Sequence, residues 1–185
     1  RRLYCLKQIS IATLLEYSDD DYLYYLSNDD FKILFPRVLE LIAFDHFYDY
    51  VLDHYLGIAQ LRIKHNWQDW DINERTFVKR CLVHLWKYSL SAYPSPVKCS
   101  YGLAEDIAEL NDDLFVYIKI LQERCDSIVG IQHLAELVTW NLFRKRLTDQ
   151  SWVLPLLEKT YYEHINTPIG DLMARAVQKI EWSFS

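Results

Sequence analysis

The sequence predicts an all-α protein. Glycine and proline are scarce, at 4 and 5 of 185 residues, against usual frequencies of about 7% and 5%, so special turns are few and regular elements many. Apolar residues recur at helical spacing between segments that carry helix-start chemistry, and no stretch sustains the two-residue alternation of a strand. Helices joined by short connectors predict stacked helical hairpins, arranged as a small HEAT-like curved array or as a compact orthogonal bundle of about eight helices. No exact 34- or 40-residue repeat is visible, which speaks against a regular solenoid.

The elements follow in order. Residues 3–16 (LYCLKQISIATLLE) have the spacing of a first helix. Ser18 followed by Asp19, Asp20 and Asp21 is a helix start: the hydroxyl accepts from a first-turn N–H, and the carboxylates meet the positive end of the dipole. That short helix runs to Leu26, and Ser27 or Asn28 ahead of Asp29 and Asp30 restarts the chain in the same way. Pro36 suits the first position of a helix and not its interior, which predicts a turn at 29–34 and a separate helix at 36–44. Residues 45–65 place Phe47, Val51, Tyr55 and Ile58 on one helical face.

Asp71-Ile-Asn-Glu74 has the form of a capping box, with a long helix over 72–92 after it. That helix stops at Tyr93-Pro-Ser-Pro96. Further helices are expected at 100–109, at 112–125 with Asn111 as cap, at 128–143, and at 150–164 opened by Thr148 or Asp149. Thr167-Pro168 reads as an N-cap followed by a first-turn proline, opening a last helix that ends near Trp182. Length fits a single domain spanning 1–185, with the connector 93–100 as a sub-boundary.

Charge and cysteine content exclude several function classes. The net charge is −6, which disfavours nucleic acid and anionic membrane as partners. Residues 16–56 are mainly acidic, 57–100 mainly basic and 101–140 acidic again; solvated helix faces explain such blocks, and steering of a basic partner is the alternative. No apolar run reaches the ~18 residues of a membrane span. Cys5, Cys81, Cys99 and Cys125 match no zinc spacing. Without a secretory signature the expectation is reduced thiols in a cytoplasmic protein.

Four motifs, SDDDYLYYL, DDFKILFPRVLEL, HNWQDWDINER and LLEKTYYEHIN with a later AVQKIEW, together resemble a family of bacterial helical proteins of about this length with no established activity. Phe35 stands where that family has Leu before proline, and the aromatic-acidic segment 44–56 is enlarged. The resemblance implies one bacterial helical domain and carries over no catalytic residue.

Few side-chain groupings in the sequence have the form of reactive chemistry. Gly57, Gly102, Gly130 and Gly170 are isolated, so there is no P-loop or dinucleotide fingerprint, and GxSxG and HExxH are absent. His46, Asp49, Asp53 and His54 form the most metal-like set, but one helix does not complete a site and a solvated acidic stripe explains them. Cys81 and His84 lie i, i+3 among apolar neighbours, which favours a structural thiol over a nucleophile. Glu40, set among Leu39, Leu41, Ile42, Phe44 and Phe47, needs a partner; Arg37 or Arg75 is expected to supply one, linking two helices. Phe143-Arg-Lys-Arg146 is a lone basic cluster that dipole complementarity explains.

Trp67 and Trp70 flank a connector, where core-edge packing or partner binding accounts for them. Tyr17, Tyr22, Tyr24 and Tyr25 beside the acidic run suit a basic partner. The expected function is a non-enzymatic cytoplasmic protein–protein interaction module without cofactor, and an immunity- or antitoxin-like role fits the charge. Its candidate binding residues are Trp67, Trp70, Arg37, Glu40, Arg75, Tyr22 and Tyr25. The alternatives are an enzyme or metal-binding protein using Glu40, His46, Asp49 and Asp53, and a structural subunit of a homo-oligomer.

Overall fold

A computed structural model describes residues 27–44, 66–97, 103–104, 107–108, 113–139 and 141–182. Among these residues the protein is all-α, with seven α-helices and no strand. The helices are α1 Asn28–Phe44, α2 Ile72–Ser89, α3 Leu114–Arg124, α4 Ile128–Thr139, α5 Asn141–Thr148, α6 Val153–Glu163 and α7 Pro168–Glu181. The expected helices at 3–16 and 18–26 and the segment 45–65 lie outside the described residues. The chain divides into two compact units, one comprising Arg1–Tyr88 and Pro96–Cys99, the other Ser89–Ser95 and Ser100–Ser185.

In the first unit, α1 begins where Ser27 caps it, its hydroxyl accepting from the Asp30 N–H at 3.2 Å and donating to the Asp30 carboxylate at 2.7 Å. The expected break at Pro36 does not occur: α1 is continuous, with Pro36 inside it. An interior proline costs roughly 3 kcal/mol through a lost hydrogen bond and a clash with the preceding turn. Phe31, Phe35 and Leu39 offset that cost. They form an i, i+4, i+8 stripe of buried side chains on both sides of the proline, each contributing about 1.5–3 kcal/mol on burial. Packing therefore overrides the local preference.

A 3-10 turn at Trp67–Asp69 leads into α2. The capping box forms as expected. Asp71 Oδ1 accepts from the Asn73 N–H at 2.8 Å, and Glu74 Oε2 accepts from the Asp71 N–H at 3.1 Å. The bond from the Asn73 N–H is the main reason the Asp71 carboxyl is held below its usual pKa. On α2, Val78, Leu82, Leu85, Trp86 and Ser89 are buried, an i, i+4, i+7, i+8, i+11 stripe of the kind that faces a core. Phe31 stacks on Phe35 with ring centroids 5.3 Å apart and meets Trp70 edge-on at 6.3 Å, so the connector's aromatics join the core of α1.

In the second unit α4 is central. Its residues His133, Leu134, Ala135, Leu137 and Val138 are all buried, and a helix apolar on most sides belongs inside. It packs against α3, α5 and α7, while α7 also lies along α6. Three boundaries differ from expectation. Asp113, not Asn111, caps α3, accepting from the Phe115 N–H at 3.1 Å; this register buries Tyr117, Ile118, Ile120 and Leu121. The helix expected at 128–143 is two, α4 and α5, and Thr148 and Asp149 close α5 rather than open α6, which begins at Val153 with Pro155 in its first turn. Thr167 and Pro168 open α7 as expected.

The α3–α4 and α6–α7 junctions are built alike, forty residues apart. Ser127 Oγ donates to Arg124 O at 3.0 Å and accepts from the Gly130 N–H at 3.3 Å. Thr167 Oγ1 donates to His164 O at 2.7 Å and accepts from the Gly170 N–H at 3.2 Å. A Cβ on Gly130 would meet Arg124 O at 2.1 Å, and one on Gly170 would meet His164 O at 2.2 Å. Each glycine thus lets the second helix close against the carbonyl end of the first. Burial follows the same offset, with Tyr117 matching Leu157, Ile120 matching Thr160 and His133 matching Met173. The hairpin repeat escaped the sequence because it resides in caps and burial rather than in identical residues.

Candidate functional site

The candidate site lies in the first unit, between α1 and α2. These helices run in the same direction across their contact. Near their starts Lys32 Nζ lies 2.7 Å from Glu74 Oε2, and Lys32 also sits 5.0 Å from the centroid of the Trp70 ring. Further along, Pro36, Leu39 and Glu40 of α1 face a cavity of about 370 Å³. Its other wall is Phe77, Cys81, His84, Leu85 and Tyr88 of α2. A second cavity of about 300 Å³ adjoins the first, sharing Pro36 and Phe77 and reaching back to Lys32, Trp70 and Glu74. Together they form a groove.

The groove exists because the apolar arc of α2 is wider than its core contact needs. Val78, Leu82 and Trp86 occupy the core side, leaving Phe77, Cys81 and Tyr88 along one edge. Phe77 is 51% exposed and Tyr88 38% exposed. Cavities of a few hundred cubic ångströms with mainly apolar walls and a few polar groups are the usual form of a binding site.

Three of the polar groups singled out in the sequence meet here, though not in the roles first weighed. Glu40 Oε2 accepts from Arg37 Nη1 at 2.8 Å within α1, and the Glu40 side chain is about half exposed. The expected link from Glu40 to Arg75 does not form. With the two helices running in parallel, residue 40 stands some eight residues, about 12 Å, beyond residue 32, which is the one opposite the start of α2. The link between the helices is Lys32–Glu74 instead. Arg75 does not line the groove, and its Nε is buried without a hydrogen-bond partner among the described residues.

Cys81 and His84 line the same wall without forming a reactive pair. Burial pushes the Cys81 thiol above its usual pKa, which keeps it protonated and poorly nucleophilic. His84 Nδ1 lies 2.7 Å from Arg80 O; a carbonyl only accepts, so Nδ1 carries a proton and Nε2 is the ring nitrogen left for other contacts. Such a wall can bind but has no activated nucleophile.

Trp67 and Trp70 are 3% and 7% exposed, so packing accounts for both, and Trp70 also edges the second cavity. Trp67 Nε1 is buried without a hydrogen-bond partner among the described residues, and Lys79 Nζ lies 5.6 Å from the centroid of its ring. Tyr22 and Tyr25, and the metal candidates His46, Asp49, Asp53 and His54, lie outside the described residues. Among the described residues no group of three or more His, Cys, Asp or Glu side chains is placed to hold a metal, and no helix is long and apolar enough to cross a membrane. Sequence reasoning missed Phe77 and Tyr88. Their i, i+11 spacing beside the 78–82–86 core stripe was the available signal.

Compared with known protein families, curated proteins and solved structures, the chain has no match. The reading of the groove therefore rests on its own geometry.

Proposed function

We propose that the protein is a non-enzymatic interaction module whose first unit takes hold of another protein along the α1–α2 groove. The observation that carries this reading is Phe77, a half-exposed ring standing where two adjoining apolar cavities meet. Burying a large exposed ring supplies the kind of anchor on which interface affinity concentrates. A protonated Cys81 thiol and an ion-paired Glu40 favour binding over catalysis. The free thiols Cys81 and Cys125 suit a reducing, cytoplasmic setting.

The test places a photo-crosslinking phenylalanine analogue at position 77, and separately at the exposed Phe115 of α3 as a control, in protein expressed in its native host. A discrete heterologous adduct from position 77 that position 115 does not give supports the proposal. Adducts only to a second copy of the chain would make the groove a self-association face instead. Equal labelling from both positions, or none from 77, removes the proposal.

A further inference from the structure

Building on the groove reading, we infer that the segment it accepts presents a basic side chain, arginine or lysine, next to an apolar anchor. Of the bases on α1 that border the groove, Arg37 is engaged with Glu40 and Lys32 with Glu74, so each positive charge already faces a carboxylate. Glu40 commits Oε2 to Arg37, and Oε1 has no hydrogen-bond partner among the described residues. His84 commits Nδ1 to the Arg80 carbonyl, so it offers the groove Nε2 alone.

The polar character left at this end of the groove is thus acceptor capacity around a carboxylate. Pro36, Leu39 and Phe77 provide apolar wall beside it. A long basic side chain meets both demands: its methylene stem lies along apolar surface while its charged head donates to the Glu40 carboxylate. An acidic side chain would bring another acceptor beside Glu40 and is disfavoured.

The experiment selects peptides from a random library displayed on phage against the full chain, with counter-selection against Phe77→Asp. Selected peptides are then measured by fluorescence polarisation as synthetic copies, with the basic residue present or replaced by glutamine, against wild type and Glu40→Gln. Glu40 and Phe77 are exposed, and circular dichroism checks that both variants remain folded.

The expected result is enrichment of arginine or lysine beside Leu, Phe or Trp. Replacing that base weakens binding to wild type roughly three- to fivefold, the scale of a half-exposed charge pair, and changes binding to Glu40→Gln little. Phe77-dependent peptides without a base, or an equal loss against Glu40→Gln, overturn the cationic inference while leaving the groove reading intact. If no selected peptide depends on Phe77, both fall.

Discussion

Tyr93 Oη donates a 2.6 Å hydrogen bond to Glu136 Oε1, fastening the segment 89–95 to α4 across 43 residues of sequence. His133, on the same helix, holds the segment a second time: its Nε2 lies 2.8 Å from Ala92 O, and its ring meets the Tyr93 ring edge-on at 5.3 Å. Ser95 Oγ closes the segment on itself by donating to Ser89 O at 2.9 Å. Tyr93→Phe should cost about 1 kcal/mol, read as a lower urea midpoint with an unchanged slope. Burial, then the Glu136 carboxylate, pushes the Tyr93 phenol up to about 12, so its share of stability declines as pH rises above 10, where the unfolded phenol ionises first.

Acid should act through His133. It is 2% exposed, and burial lowers its pKa below the ordinary 6.5, against smaller opposing effects of Ala92 O and Glu136. The unfolded state therefore takes up a proton near 6.5 while the folded state still refuses it. Stability is fully present above 6.5 and falls with pH until the folded ring itself protonates, at up to ~1.4 kcal/mol per pH unit. Urea titrations of wild type and His133→Gln at several pH values between neutrality and pH 5 check this. The slope should be shallower in the variant; equal slopes would assign the acid sensitivity to other groups.

The two glycines at the hairpin junctions give a test whose sign is diagnostic. In an open helix Gly→Ala stabilises by about 1 kcal/mol. At Gly130 and Gly170 the new Cβ would lie 2.1 and 2.2 Å from backbone carbonyl oxygens, and backbone cannot step aside as a side-chain tip can. Each substitution should destabilise by about 2–4 kcal/mol. Ser127→Ala and Thr167→Ala, which remove the caps alone, should cost about 1 kcal/mol each. Thermal melts of the four single variants suffice.

Glu74 should matter more than Glu40. Glu74 joins Lys32 and also accepts from the Asp71 N–H, so Glu74→Ala loses a helix-to-helix pair and a cap together, about 1–1.5 kcal/mol after allowance for the pair's partial exposure. Glu40→Gln loses one exposed pair within α1 and should change stability by less than about 0.5 kcal/mol. Equal effects in chemical denaturation would contradict the assignment of the inter-helix link to Lys32 and Glu74.

Thiol chemistry offers a further check. Burial raises Cys81, and burial followed by the Asp126 charge raises Cys125 to about 12. Both should react with iodoacetamide at neutral pH more slowly in the native protein than after denaturation, with rates assigned by mass spectrometry of the labelled peptides. A native Cys81 faster than the unfolded thiol would restore the nucleophilic reading that the structure disfavours.

Helix starts were legible in the residues because a cap is a local device. Asp71 with Glu74, and Thr167 with Pro168, act within three residues of themselves, so their chemistry is written in the order of the chain. Pro36 was misleading for the same reason: its local preference for a helix start is real, but the gain from burying Phe31, Phe35 and Leu39 on one face exceeds it. Asn111 and Asp113 were equally good caps by chemistry, and the choice fell to the register that buries Tyr117 and Leu121.

The residue pattern by itself settled that this protein is helical and where several helices begin. The expectation that Glu40 is buried did not hold, since its side chain is about half exposed. Tertiary structure decided which carboxylate links the helices, and did so through direction: with α1 and α2 parallel, Lys32 meets Glu74 near their starts, while Glu40 is carried along to His84 and Tyr88. Direction also made a groove of residues about forty positions apart in sequence, with Phe77 left half exposed at its middle. Capping and periodicity are interactions of near neighbours. Which faces meet depends on the burial of whole stripes, and that energy is defined only once the helices are packed.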